Sequence, residues 1–193
     1  MNRFKKLSLL IMVLSLGYSS QAFSTFYIGA QGHPAFILND SAKNSFDETG
    51  WGGSVHVFYS PEFFLGDFIA LGLRQSITFF EGTGTTNAKD SNSFDTLFAA
   101  RVAWLDTPFE DWTWDFVLEA GVNYFQAKAE GGDDNINFTY ALGVGLRYFL
   151  FAESALGTFA RWHQTVGDFT LATGTSMTNL NLIELGLFYE ISF

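Results

Sequence analysis

The final fourteen residues constrain the fold most. From Leu180 to Phe193 one parity reads Ile183, Leu185, Leu187, Tyr189, Ile191, Phe193. The other reads Leu182, Glu184, Gly186, Phe188, Glu190, Ser192. Side chains alternate across a strand. As a strand, this segment has one face that is apolar from Ile183 to Phe193 and an opposite face that carries both of its carboxylates.

The same split recurs upstream. In 112–125, Trp112, Trp114, Phe116, Leu118, Ala120, Val122 and Tyr124 oppose a face holding Asp115 and Glu119. In 137–150, Phe138, Tyr140, Leu142, Val144, Leu146 and Tyr148 oppose Thr139, Ala141, Gly143, Gly145 and Arg147. In 94–105, Phe94, Phe98, Ala100, Val102 and Trp104 oppose Asp95, Ala99 and Arg101. Weaker segments at 26–38, 51–60, 68–80 and 155–166 complete a set of eight. The connections 39–49, 81–93, 129–136 and 167–179 are longer and polar, whereas 61–67, 106–111 and 151–154 are shorter. An even strand count with long loops at one end and short turns at the other is the arrangement of a transmembrane barrel. A strand tilted in a bilayer needs about 9–11 residues to cross, and these segments are long enough. The fold expected is all-β: an eight-stranded antiparallel up-and-down transmembrane β-barrel. A soluble β-sandwich would also alternate, but its polar faces would not be so rich in Gly and charge.

The N-terminus reads as an address. Arg3, Lys5 and Lys6 precede the apolar run Leu7–Leu16, and a stretch ending in the small-x-small pattern Ser20-Gln21-Ala22 follows. That order describes a secretory signal cleaved after Ala22, so residues 1–22 are assigned to the leader and 23–193 to the barrel. No other apolar run is long enough for a membrane helix of about 20 residues. The best, 140–152, is interrupted by Gly143, Gly145 and Arg147. An exported chain without such a helix enters a membrane only as a closed barrel, because hydrocarbon tolerates no unpaired backbone.

Composition fits this picture. Aromatic residues make up 18% of the chain and charged residues 16%, against about 25% charged in a soluble domain. There is no Cys, which removes disulfides, thiol chemistry and Cys-ligated zinc. Without the leader, 7 basic residues face 20 acidic ones, a formal charge of −13. That balance excludes nucleic acid as a partner.

The charges sort by position. Lys43, Lys89 and Lys128 fall in or beside the long connections. Arg74, Arg101, Arg147 and Arg161 fall in strands, each on the polar parity, with Asp115, Glu119, Glu184 and Glu190. A charge facing lipid near mid-bilayer costs about 2–4 kcal/mol, so this parity is the lumen. The lumen of an eight-stranded barrel is filled by side chains, and the expected content is a charge network of Arg74, Arg101, Asp115, Glu119, Arg147, Arg161, His163 and Glu184. Arg74 and Glu119 stand at similar heights on their strands and are the expected partners. The lumen parity is also rich in Phe: Phe58, Phe125, Phe149, Phe159 and Phe188.

Phe193 at the C-terminus, with Ile191 and Tyr189 on alternate positions before it, resembles the C-terminal signature of bacterial outer-membrane barrels. The stretches 142–148, 160–168 and 181–193 are similar to the last three strands of the small porin-like and opacity-type proteins, a group that includes the transmembrane domain of outer membrane protein A. The resemblance covers about the last quarter of the chain. It implies an outer-membrane location and partners in membrane lipid and lipopolysaccharide. During biogenesis it implies periplasmic chaperones and the barrel-assembly machinery, which reads Tyr189, Ile191 and Phe193. It also implies a monomer that lacks the periplasmic domain of outer membrane protein A, with a non-enzymatic role in envelope integrity or surface interaction.

Two alternatives stand beside that role. One is a narrow channel for small or apolar solutes, as in the outer membrane protein W group. The other is a hydrolase. Lipid A deacylases are similar eight-stranded barrels with a His-x-Ser pair and a Glu on the next strand. His163, Thr165 and Glu184 occupy comparable places, with Thr as the nucleophile. By parity His163 and Glu184 face the lumen, away from lipid A, so no catalytic residue is assigned. His33 and His56 are solitary and suggest no metal site. The acidic stretch 130–135 lacks a calcium-loop spacing, so no metal or cofactor is expected.

Overall fold

The computed structural model describes residues 25–61, 69–83, 89–104, 112–128, 132–151, 153–172 and 175–193. The expected leader, 1–22, lies outside the described residues, as do most of the short connections. Eight strands, β1 (Thr25–Ile37), β2 (Thr49–Ser60), β3 (Ile69–Phe80), β4 (Ser91–Trp104), β5 (Trp112–Ala127), β6 (Asn135–Phe151), β7 (Ser154–Ala172) and β8 (Thr175–Ser192), follow one another in chain order. Each pairs antiparallel with its neighbours, and β1 closes onto β8. The result is a closed up-and-down barrel. Phe26 and Phe193 exchange backbone bonds of 3.1 and 2.9 Å, so β1 and β8 meet at the same end as the short connections. We call this the near end.

Parity decides what each side chain meets. Leu185, Leu187, Tyr189 and Ile191 all point outward and are exposed, whereas Glu184 and Glu190 point inward and are buried. Outward aromatic pairs stand at both ends. Trp112–Tyr148 and Phe26–Tyr59 lie at the near end, and Phe94–Tyr124 and Tyr140–Trp162 toward the far end. Several lumen glycines leave no room for a larger side chain. A Cβ on Gly72 would stand 2.1 Å from the Val57 carbonyl oxygen, and one on Gly121 2.0 Å from that of Thr96.

One expectation fails. The segment 167–179, read as a long loop from its Gly, Asp, Thr and Asn residues, is mostly strand. β7 runs on to Ala172 and β8 starts at Thr175. Thr is β-branched and suits a ladder: Asp168 pairs with Thr178 and Thr170 with Ser176. The irregular residues are absorbed by register shifts in this hairpin. Asn179 takes φ 59°, a conformation Asn tolerates. Lumen parity on β8 therefore moves from even numbers to odd, and Met177 points inward.

The barrel is uneven in height. β1 to β4 are 13, 12, 12 and 14 residues long, and β5 to β8 are 16, 17, 19 and 18. All exceed the crossing length of about 9–11 residues. The taller half lets the β7–β8 hairpin supply Phe169, Leu171 and Met177 to the far mouth.

The connection between β1 and β2 also differs from a plain polar loop. It carries a one-turn helix, α1 (Asp40–Lys43), with Asp40 in its first turn and Lys43 in its last. The Asn39 side chain donates to the Asn179 carbonyl at 3.1 Å and accepts from the Asn181 N–H at 3.1 Å, which ties the loop to β8. A bridge between Phe46 and Gly82 ties it to the end of β3. Held at both sides, the loop lays Ala42 and Phe46 across the mouth. They pack with Phe80, Phe125, Phe169, Leu171, Met177, Leu180 and Leu182 into one buried apolar cluster. Phe46 is fully buried, with ring centroids 5.6 Å from Phe80 and 6.2 Å from Phe125. An apolar cap thus closes the far end.

Candidate functional site

The lumen below the cap holds the titratable side chains. The layer nearer the termini centres on Glu190. Its Oε2 accepts from Arg101 Nη1 at 2.6 Å and lies 3.0 Å from His56 Nε2. Its Oε1 accepts from Arg147 Nη1 at 3.2 Å. Arg147 also grips Asp115 at both carboxylate oxygens, at 3.0 and 2.5 Å. Such bidentate pairing fixes orientation as well as charge. The Arg101 guanidinium lies 4.4 Å from the Tyr27 ring centre and 4.5 Å from that of Phe58.

The upper layer centres on Arg161. It donates Nε to Glu184 Oε2 at 2.6 Å, with Nη2 on the same oxygen, and Nη1 to Glu119 Oε2 at 3.2 Å. Arg74 Nε stands 2.9 Å from Glu119 Oε1, an ion contact rather than an aligned hydrogen bond. Arg74 Nη1 donates to Gln31 Oε1 at 3.0 Å, and Gln31 Nε2 lies 3.4 Å from His56 Nδ1. Gln31 thereby joins the two layers. Every residue of the proposed network lies in the lumen, and every one is buried.

Above Arg161, His163 Nδ1 lies 2.9 Å from Glu184 Oε1. Its Nε2 lies 2.6 Å from Thr139 Oγ1 and 3.6 Å from Asp95 Oδ1. The hydroxyl beside the imidazole is thus Thr139. Thr165 stands one step further, donating to Thr139 at 3.2 Å. An acid, an imidazole and a hydroxyl are in line, as a nucleophilic triad requires. But Thr139 is fully buried and His163 nearly so, inside the barrel. A hydroxyl there reaches no lipid on the outer wall.

Asp95 accepts from Asn123 at 2.7 Å and from Ser76 at 3.1 Å. Asp95, Thr139 and Gln31 belong to this constellation and were not among the sequence candidates for it, and Glu190, placed in the lumen by parity, was left out of the expected network. Their parity was legible, but cross-strand register decides which of them meet. His33 lies at its edge, 3.7 Å from Glu184, with neither ring nitrogen hydrogen-bonded. Among the described residues, no group of three His, Asp or Glu is arranged to hold a metal ion.

Between the two layers a cavity of about 40 Å³ remains, flanked by Arg74, Arg101, Arg161, Asp115 and Glu190. About 10–15 Å³ of such space holds one water molecule, so the gap takes a few waters. The lumen is therefore filled at three levels: two of ions and, at the far mouth, one of hydrocarbon.

No known protein family matches the chain, and no curated protein matches it in sequence. Solved structures do. Neisserial surface protein A is 14% identical with a TM-score of 0.62, over 87% of this chain and 97% of that one. OprG, an outer membrane protein of Pseudomonas aeruginosa, is 10% identical with a TM-score of 0.57, over 89% and 96%. The outer membrane protein AlkL, solved in lipid bilayers, is 14% identical with a TM-score of 0.51, over 92% and 94%. The chain has the fold of the small eight-stranded outer-membrane barrels. At these identities the likeness is one of fold.

Proposed function

We propose that the chain is an integral outer-membrane barrel with a plugged lumen and no catalytic role, serving envelope integrity and surface contact. The observation that carries this reading is the filled interior. Two layers of paired ions lie beneath an apolar cap, and only about 40 Å³ is left between the layers. A hydrated ion or solute has no open path through such a lumen. The wall supports the membrane setting: its outward parity is apolar from Ile183 to Ile191 on the final strand and bordered by aromatic pairs. In this reading residues 1–22 direct export, and Tyr189, Ile191 and Phe193 present the assembly signal. The lipids and lipopolysaccharide of the outer leaflet then surround the far end.

Reconstitution in planar bilayers tests the plug. The expected trace is flat, and current steps of appreciable size would overturn it. Extraction tests the membrane setting: a protein soluble without detergent refutes it. A second reading, a passage for apolar solutes, is favoured by the chemistry of the cap, whose buried cluster is apolar. It requires the β1–β2 loop to lift. Uptake of an apolar dye by vesicles holding the barrel separates the two readings, since the plugged barrel gives none above empty vesicles.

A further inference from the structure

The outer wall carries a polar group that hydrocarbon cannot satisfy. Gln75 lies in the middle of β3, on the outward face, exposed and next to Thr96 on β4. Gln164 is likewise outward and central on its strand, but its Oε1 accepts from the Tyr140 hydroxyl at 2.5 Å. Gln75 makes no side-chain hydrogen bond among the described residues. A lipid tail offers neither donor nor acceptor, so both ends of this amide are left unpaired in a bilayer.

Just below Gln75 the wall is grooved. A depression of about 500 Å³ runs across β3, β4 and β5 between Leu71, Leu73, Phe98 and Leu118, over Ala100 and Ala120. Phe98 stands beside it as a ridge, 72% exposed. Ridge and groove therefore share one face, which is the requirement for two identical surfaces to fit each other about a two-fold axis.

We infer that the β3–β5 wall is the interface of a homodimer formed within the membrane, with Gln75 of each copy paired to Gln75 of the other. This rests on the membrane reading above. A lipid chain fills the groove but leaves the amide unpaired. A second copy supplies both a carbonyl and an NH₂ at the same level, because an amide is its own complement. The family resemblance implies a monomer, and the dimer departs from it on the strength of the unpaired amide.

The chain contains no Cys, so single-cysteine variants are read on a clean background. The full-length protein is placed in outer membranes with Leu118→Cys at the groove or Leu185→Cys on β8, across the barrel. Both are then treated with a short bis-maleimide. The expected result is a cross-linked dimer from Leu118→Cys and none from Leu185→Cys. Adding Gln75→Leu is expected to weaken association roughly tenfold, the scale of polar pairing in a membrane. Adding Ala100→Trp is expected to abolish it. Heat-modifiable migration verifies that each variant is a folded barrel. Equal cross-linking at both positions overturns the inference. So does a Leu118→Cys adduct only to other proteins, or a dimer indifferent to Gln75→Leu. A detergent-requiring barrel without the Leu118→Cys dimer overturns the dimer and leaves the membrane reading intact. Extraction without detergent overturns both.

Discussion

Glu190→Gln is the most informative single change to the lumen. The substitution keeps the shape and removes the charge that three groups face: Arg101 at 2.6 Å, His56 at 3.0 Å and Arg147 at 3.2 Å. Arg147 keeps Asp115, which holds it at two oxygens. Arg101 keeps only the Tyr27 and Phe58 rings, because Glu190 is its one ion pair among the described residues. Breaking a buried pair from one side costs about 3–5 kcal/mol. The two rings retain part of the stabilisation, at about 2 kcal/mol for a desolvated cation, so we expect a loss near the lower end, about 3 kcal/mol. Removing the stranded charge as well should reverse most of it. The double variant Glu190→Gln with Arg101→Met is expected within about 1 kcal/mol of the parent, since uncharged replacements of buried pairs are often neutral. The assay is urea unfolding of the barrel in lipid vesicles, followed by heat-modifiable migration. A single variant within about 0.5 kcal/mol of the parent, the usual range for surface changes, refutes the buried-pair reasoning. A double variant equal to the sum of the two singles refutes the assignment of the cost to Arg101.

Other consequences are as direct. Phe46→Ala should empty the centre of the cap, a change worth about 3–5 kcal/mol at a buried Phe, and should speed tryptic cleavage at Lys43 while the barrel stays folded. Cleavage at the parental rate would count against the cap. Gly121→Ala should impair folding, because its Cβ would meet the Thr96 carbonyl oxygen at 2.0 Å, whereas Gly32→Ala meets nothing within 4 Å and should fold like the parent. Equal refolding yields of the two would contradict the packing described. His163→Ala should leave the lipid A mass spectrum of overexpressing cells unchanged, and an altered acylation pattern would revive the hydrolase reading.

Much of the barrel was legible because period two is a local property. Every lumen ion declared its side by parity alone, and the wall followed from the same rule. Depth along a strand pointed to Arg74 and Glu119, which stand 2.9 Å apart. What parity leaves open is register, a relation between strands far apart in sequence. Thr165 was the hydroxyl suggested by its spacing from His163, yet register brings Thr139 of β6 to the imidazole instead. The cap escaped for a related reason. Phe46 and Ala42 sit in a connection without periodicity, and Met177 points inward only because Asn179 shifts the parity of β8. Composition was a poor guide at 167–179, where threonines common in loops are equally suited to a ladder.

The uneven height of the wall bears on how the far end meets other molecules. On the β7–β8 side the projecting part is hydrogen-bonded sheet as far as Ala172 and Thr175. Ordering a free loop on contact costs about 1–2 kcal/mol for each backbone residue fixed. A hairpin that is already a ladder has incurred that cost in folding, so a partner meeting it there forfeits little entropy. Recognition on this side is therefore a matter of fitting a preformed edge, and it is sensitive to single outward side chains such as Asp168 and Thr178, which are linked at 3.0 Å.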